Sequence, residues 1–401
     1  MNVTADVLVV GAGLAGLHTA TRLAELGHDV LLADRRTDLT AGIRTTGIFV
    51  RRTLDDFALS EEHLGPPIRR VVLYPPSLRH PVQLVSDRDE FRVGDMGGLY
   101  ASAAGSALAA GVRMRLRTRF VHHEDGVSCL SGPDGSLSVR ARFVVGADGA
   151  RSQVARRLGL DVNRRMLVGA EEVHASSATA GPPTFHCVLD PTVAPGYLAW
   201  VLDDGHRVHL GVAGYADRFP FGLMEALTRF RRRAPGLPPD LPPEPLERRG
   251  GPIPVGGVLR RIGCSAGLLV GDAAGAVSPL TAGGLDPCVR LSEHAVAAID
   301  DALRTGSVEP LRRYEGAVLR SRFRGRLALR SALSRVRTPA LTEASFVALR
   351  TALGRAAARR ILFGDRSFPD IDAATPREVT RPAATALSSG DCASRRSTAQ
   401  R

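Results

Sequence analysis

Three glycines, Gly11, Gly13 and Gly16, follow the apolar run Asp6-Val-Leu-Val-Val10 in the spacing G-x-G-x-x-G. A glycine at the first position permits the tight turn out of a strand. One at the second lets the backbone approach a bulky anion, and one at the third lets the following helix pack on the sheet. The chemistry served by such a turn is the seating of a nucleotide pyrophosphate on helix N–H groups and their dipole. Asp34 closes the next apolar stretch 21 residues after Gly13, near the spacing at which an acid holds ribose hydroxyls.

Two further segments carry the same kind of turn. Phe143-Val-Val-Gly-Ala-Asp-Gly149 runs on through Ala150-Arg-Ser152, and Leu268-Leu-Val-Gly-Asp272 leads into Ala273-Ala-Gly275 and then Pro279-Leu-Thr-Ala-Gly-Gly284. In their order, these three segments resemble the flavoprotein superfamily that contains the aromatic hydroxylases and the geranylgeranyl reductases. The resemblance covers about residues 5–305. It implies FAD as the cofactor and roles for particular residues. Asp272, after Gly271, accepts a ribityl hydroxyl. Pro279 to Gly284 pass beside the isoalloxazine, and the N–H groups near Gly283, Gly284 and Leu285 face the N1–C2 edge of the ring. Positive helix dipole there stabilises an anionic reduced flavin. Asp148 and Gly149 shape the pocket wall. Arg44, in "GIRTTG", resembles the hydroxylase segment "IRAG" and contacts the flavin or its ribose, unless it is a plain surface arginine.

On the substrate side, Pro195-Gly-Tyr-Leu-Ala-Trp-Val-Leu-Asp-Asp-Gly205 is similar to the reductases' P-G-G-Y-x-W-x-F-P-x-G segment. Aligned on Trp200, the family tyrosine falls on Leu198, with Tyr197 one step earlier. A one-residue slip in a strand moves a side chain to the opposite face, so Tyr197 does not simply inherit the role. Trp200, Tyr197 and Pro279 are the candidates nearest the chemistry. No side chain stands out as a general acid or base. His174, His186 and His209 lie in the same block and either face the substrate or serve as structural histidines. The leading reading is a reductase or dehydrogenase that exchanges hydride at flavin N5 with a hydrophobic small molecule. An FAD-dependent monooxygenase using O2 and NAD(P)H is the alternative, and a non-catalytic flavin-binding protein is a third. The flavin halogenases are set aside, because they need a lysine and a W-x-W-x-I-P segment.

The elements that must position these residues follow from the pattern. Residues 6–10 and 29–33 read as buried parallel strands, with a helix between them ending at Gly27. Residues 98–110 and 285–303 read as helices. Residues 183–215 hold short strand-forming segments, two of them flanking the hairpin signal Asp204-Gly205. Residues 236–254 read as a proline-rich connector. The fold expected is α/β: a discontinuous Rossmann-type FAD-binding domain (1–70, 95–155 and 255–307) with an inserted, mostly antiparallel β-sheet substrate domain (71–94 and 156–254). A C-terminal helical region (308–364) and a disordered tail (365–401) follow.

Composition narrows the function further. The chain has 401 residues and a net charge of +12, and all 53 basic residues are arginine. Without lysine, no Schiff-base mechanism operates. Aromatic residues make up 5%, with no basic–aromatic interleaving, which argues against nucleic acid. Five cysteines without C-x-x-C spacing point to neither a disulfide framework nor a metal site. The start of the chain shows no basic leader before an apolar stretch, so a cytoplasmic protein is expected. The stretch 311–333 alternates arginines with apolar residues. Such a helix either lies on an anionic bilayer or packs its apolar stripe on its own domain. No second glycine fingerprint follows a strand, so NAD(P)H binds transiently or a separate partner supplies the electrons.

Overall fold

The computed structural model describes residues 2–176 and 181–364, together with the backbone of Arg377–Glu378. Two large sheets organise it. The first runs in the order Gly263–Cys264, Gly267–Leu269, Gly135–Gly146, Asn2–Val10, Val30–Ala33 and Arg113–Arg115. Its centre is parallel: Val7 stands between Phe143 and Val30, and Val9 between Val145 and Leu32. Unbroken valine and leucine runs suit strands covered on both faces, and Val7, Leu8 and Val9 are fully buried. The helix Leu14–Glu25 packs against both Met96–Ala109 and Leu285–Thr305. Of its five parallel strands, Asn2–Val10, Gly135–Gly146 and Gly267–Leu269 run into the glycine-bearing turns, at the crevice where α/β sheets bind ligands.

The second sheet runs Glu247–Pro254, Met166–Ala175, Arg207–Gly214, Ala199–Asp203, Thr184–Val188, Arg70–Tyr74 and Val82–Val85. It is antiparallel except where Thr184–Val188 pairs with Arg70–Tyr74. The expected hairpin forms at Asp204-Gly205, with Gly205 at φ +86°. Side chains alternate across this sheet. Val201, Val208 and Leu210 pack on the helix Leu223–Arg231. Leu202 and Cys187 lie on the other face, in a core completed by Phe346 and Phe363 of the C-terminal helical region.

One sequence reading is corrected here. The last eight residues of the proline-rich connector, Glu247–Pro254, are an edge strand paired antiparallel to Met166–Val173. An edge strand has ladder positions whose N–H is not needed, so Pro252 and Pro254 fit without breaking the pairing. The expected disordered tail lies outside the described residues, apart from Arg377–Glu378, which pair in parallel with Phe57–Ala58. No helix among the described residues is long and apolar enough to cross a membrane.

Candidate functional site

The three fingerprint glycines are required for different reasons. Gly11 sits at φ +107°, and a Cβ there would lie 2.3 Å from the Ala147 carbonyl oxygen. A Cβ on Gly16 would lie 1.8 Å from the Gly11 oxygen. Internal packing explains both. Gly13 has an ordinary φ of −70°, and nothing of the protein lies within 4 Å of where its Cβ would stand. It precedes a helix with no side-chain cap and no acidic residue in its first turn. What Gly13 leaves open is an approach to free helix N–H groups.

Asp34 is engaged by its neighbours. Its carboxylate accepts the Ala12 N–H at 2.6 Å, the Arg36 N–H at 2.7 Å, and the Arg36 Nε and Nη2 groups at 3.1 Å each. Burial would raise its pKa, but the Arg36 and Ala12 hydrogen bonds prevail and hold it below the usual value. These bonds tie the end of the second strand to the glycine turn. The acid therefore stands as an Asp34–Arg36 pair, with the Arg36 guanidinium 5.8 Å from the Tyr100 ring.

At the second turn, Asp148 caps the short helix Gln153–Arg157, its Oδ2 accepting the Gln153 N–H at 2.6 Å and the Val154 N–H at 3.2 Å. Its Oδ1 is buried without a partner, and burial raises its pKa despite the caps. Gly149, at φ +83°, faces open space. A cavity of about 100 Å³ lies alongside, bordered by Ala150, Asn163 and Ala273. Asn163 donates to the Ala150 and Asp272 carbonyls at 3.1 and 2.8 Å, stitching the second turn to the third. No sequence pattern singled out Asn163.

The third turn presents an acid with nothing to hold. Gly271, at φ +55°, brings the turn against Ala15 of the first helix. The neighbouring Asp272 carboxyl is pushed up to about 6 by burial, and burial is the sole cause. A desolvated carboxyl in this condition calls for a donor. The loop that follows folds on itself, the Ser278 N–H donating to the Gly283 oxygen at 2.9 Å and the Ala282 N–H to the Ser278 oxygen at 3.0 Å. Ala282 takes the left-handed conformation at φ +53°, a region that favours glycine. Pro279 is buried beneath it, and Gly283 is exposed. Gly284 caps the helix Leu285–Thr305, and a Cβ there would stand 3.6 Å from Asp272 Oδ1. Carboxyl group and helix start therefore converge. Asp286, in the first turn, is held by Thr53 at 2.9 Å and by Arg290 at 2.7 Å, and Arg290 also pairs with Asp56 at 2.7 Å.

On the second sheet, Trp200 lies over Gly211, whose absent Cβ would otherwise stand 2.1 Å from the indole. Its Nε1 donates to Glu171 Oε2 at 3.1 Å. Glu171 also accepts from the Thr46 hydroxyl and, at 3.2 Å, from His209 Nδ1. Asp204 stands 3.6 Å from His209 Nε2, and Arg249 lies 3.7 Å from Glu171. Burial would raise the Glu171 carboxyl, but the hydrogen bonds and charges of His209, Thr46 and Arg249 hold it low. Burial disfavours a charged His209, yet Asp204 and Glu171 push it up to about 9. Sequence reasoning found Trp200 and His209 but missed Glu171, Thr46, Asp204 and Arg249, which share no local motif.

The remaining candidates scatter. His174 turns to the opposite face and bonds the Pro242 carbonyl at 3.0 Å, while His186 meets the Tyr74 hydroxyl at 3.0 Å. Arg44 is exposed, its side chain running beside Gly251. Tyr197 precedes its strand, so the alternation of faces does not govern it. Its hydroxyl donates to the Thr281 carbonyl and ties this sheet to the Pro279–Gly284 loop.

The residues present fit a flavin dinucleotide on three counts: the open approach at Gly13, the Asp272 carboxyl with no donor among the described residues, and the helix start at Gly284, which has no side-chain cap. Comparison with known proteins agrees. Residues 6–65 match a family described as FAD dependent oxidoreductase, and residues 101–203 match an FAD binding domain. The digeranylgeranylglycerophospholipid reductase 1 of Methanopyrus kandleri is 32% identical over 328 residues, covering 77% of this chain and 84% of that one. Among solved structures, a geranylgeranyl bacteriochlorophyll reductase-like protein from Thermoplasma acidophilum superposes with a TM-score of 0.78 at 21% identity, covering 90% of this chain and 96% of its own. The p-nitrophenol 4-monooxygenase of Pseudomonas putida gives 0.68 at 19% identity, with 92% and 100% covered. At those identities, the two structures show a shared fold.

Proposed function

Because this chain belongs to the FAD-dependent oxidoreductase family of the digeranylgeranylglycerophospholipid reductases, we propose that it saturates a carbon–carbon double bond in a hydrophobic, prenyl-type substrate. The observation that carries this reading is the identity with a reductase along most of both chains. The solved hydroxylases share only the fold, so they do not favour oxygenation.

Bound FAD supplies the hydride acceptor and donor of the reaction. The protein's part is to bind, orient and exclude water. In this reading the N–H groups of the first helix, reached past Gly13, take the pyrophosphate, and the Asp34–Arg36 pair takes the adenosine end. Asp272 accepts a ribityl hydroxyl, which gives its carboxylate the donor it lacks. The N–H groups at Gly283, Gly284 and Leu285 would hold the flavin ring and present positive helix dipole to it. Asp148 and Gly149 form the wall behind. Pro279 and Tyr197 close the side of the pocket, and Trp200 forms its roof, held by Glu171. Arg44 lies at the rim. NAD(P)H serves as a transient electron donor.

The C-terminal helices suit a protein that meets its substrate at a lipid surface. Residues 316–364 carry eleven arginines against one glutamate, and Leu341, Val347 and Leu353 project into solvent. Sedimentation with anionic and neutral vesicles tests that contact. The reduction is tested by mixing chemically reduced holoprotein with geranylgeraniol under argon. Reoxidation of the flavin by the alkene is the expected result; a flavin that stays reduced until oxygen enters contradicts the reading.

A further inference from the structure

Three arginines are buried among the described residues: Arg249, Arg290 and Arg330. Arg249 pairs with Glu247 at 2.7 Å, and Arg290 with Asp56 and Asp286. Arg330 has no carboxylate. It is 5% exposed, and its Nε and Nη2 groups donate no hydrogen bond. Its guanidinium lies 5.1 Å from the Tyr197 ring and 5.7 Å from the Tyr215 ring. Aromatic faces attract the charge but accept none of its in-plane N–H groups. A guanidinium desolvated without an acceptor is among the costliest arrangements in a folded protein.

Its neighbours extend the pattern. Arg326, one turn earlier on the helix Arg324–Leu333, reaches the Ser278 hydroxyl at 3.1 Å, and burial lowers its pKa. Arg218 stacks 4.4 Å from the Tyr215 ring and donates to the Ser334 carbonyl at 2.7 Å. None of the three guanidinium groups has a carboxylate in contact among the described residues. Two of them border the loop Ser278–Thr281, since Tyr197, against which Arg330 lies, bonds the Thr281 carbonyl.

We infer that Arg330 and Arg326 form a binding site for a phosphate group, and that in the reaction this group is the anionic head of the hydrophobic substrate. A phosphate has enough acceptor oxygens to satisfy the vacant fork of Arg330 and the remaining donors of Arg326 together. The site's place beside the Pro279–Gly284 loop puts the head next to the wall of the pocket in which the chain is reduced. The head-group assignment rests on the prenyl-reductase reading; the anion site itself rests only on the unpaired guanidinium.

The test uses FAD-loaded, full-length protein and three probes: geranylgeranyl phosphate, geranylgeraniol and inorganic pyrophosphate. Calorimetry is expected to show the phosphate ester binding about tenfold or more tighter than the alcohol, the worth of a charge-assisted hydrogen bond. Arg330→Gln and Arg326→Gln each erase that preference and leave the alcohol's affinity unchanged, while exposed Arg355→Gln keeps it. Pyrophosphate raises the melting temperature of the wild type but not of Arg330→Gln, which is itself the more stable protein in anion-free buffer. Equal affinities for ester and alcohol, or a preference that survives both substitutions, overturn the proposal. Pyrophosphate binding as tightly as the ester overturns the head-group assignment in favour of a free anion. If neither prenyl probe binds while the pyrophosphate effect persists and depends on Arg330, the anion site stands and the prenyl substrate falls.

Discussion

Asp272 and Glu171 are both desolvated carboxylates, one at the glycine-rich crevice of the parallel sheet and one on the antiparallel sheet. Asp272 receives no donor among the described residues, and burial pushes it up to about 6. Glu171 is the more deeply buried of the two, yet it receives Thr46, Trp200 and His209 and is held low. Arg330 and Arg290 repeat the contrast with the sign reversed: Arg290 is met by Asp56 and Asp286, and Arg330 by no carboxylate. Where the fold completes a buried charge, the group is architecture. Where it does not, the several kcal/mol left uncompensated mark a place for a ligand.

The sharpest way to break this contrast is at Gly13. Gly13→Val leaves the backbone unstrained, and its Cβ has no protein atom within 4 Å, so the fold is expected to survive while FAD retention is lost. Circular dichroism and the flavin-to-protein absorbance ratio read the two separately. Full flavin occupancy would detach the cofactor from this turn.

Glu171→Ala opens the completed network and is expected to cost about 3–5 kcal/mol in urea unfolding, the usual penalty for breaking a buried ion pair. The pH dependence has a definite sign. His209 is raised from 6.5 to about 9, so its contribution is fully present below about pH 6.5 and is lost as pH rises through about 9. Glu171→Gln should flatten that decline. A wild type equally stable across this window would show that His209 is not held as a cation.

Asp272→Ala should weaken FAD binding by about ten- to a hundredfold, as for loss of a charge-assisted hydrogen bond. In FAD-free protein the same carboxyl is a liability. Its folded pKa of about 6 lies above the ordinary 3.8, so its contribution is full below 3.8 and is lost as pH rises through 6. Asp272→Asn is therefore expected to stabilise the FAD-free protein above about pH 6 and to change little below 3.8. Thermal melts at the two ends check it, and the opposite order would mean that the carboxylate has a partner. The smallest effect is at Ala282, where φ is +53°. Ala282→Gly relieves a left-handed alanine and should raise stability by up to about 1 kcal/mol, after the entropy glycine costs.

The parallel-sheet side was readable because its signals are local. Gly11, Gly13 and Gly16 lie within six residues of one another, and unbroken apolar runs announce the strands. Even so, the 21-residue spacing to Asp34 did not disclose that Arg36, two residues on, occupies its carboxylate. The antiparallel side was read in outline only. Trp200 stood out by type, but its partner Glu171 lies 29 residues away, and Thr46 is 125 residues from Glu171. Such contacts are created by strand register, which alternation alone does not set. The strand Glu247–Pro254 was hidden because proline reads as a breaker until its place at a sheet edge is known. Arg330 was hidden among eleven arginines in a helical region whose burial pattern only packing decides.

The central claim is that this FAD enzyme adds hydrogen to its substrate and does not add oxygen. Turnover of geranylgeranyl phosphate under heavy-oxygen-labelled dioxygen, with NAD(P)H as reductant and mass spectrometry of the product, tests it most directly. The expected product is heavier by one pair of hydrogen atoms per saturated double bond and carries no label. A product containing labelled oxygen would contradict the claim.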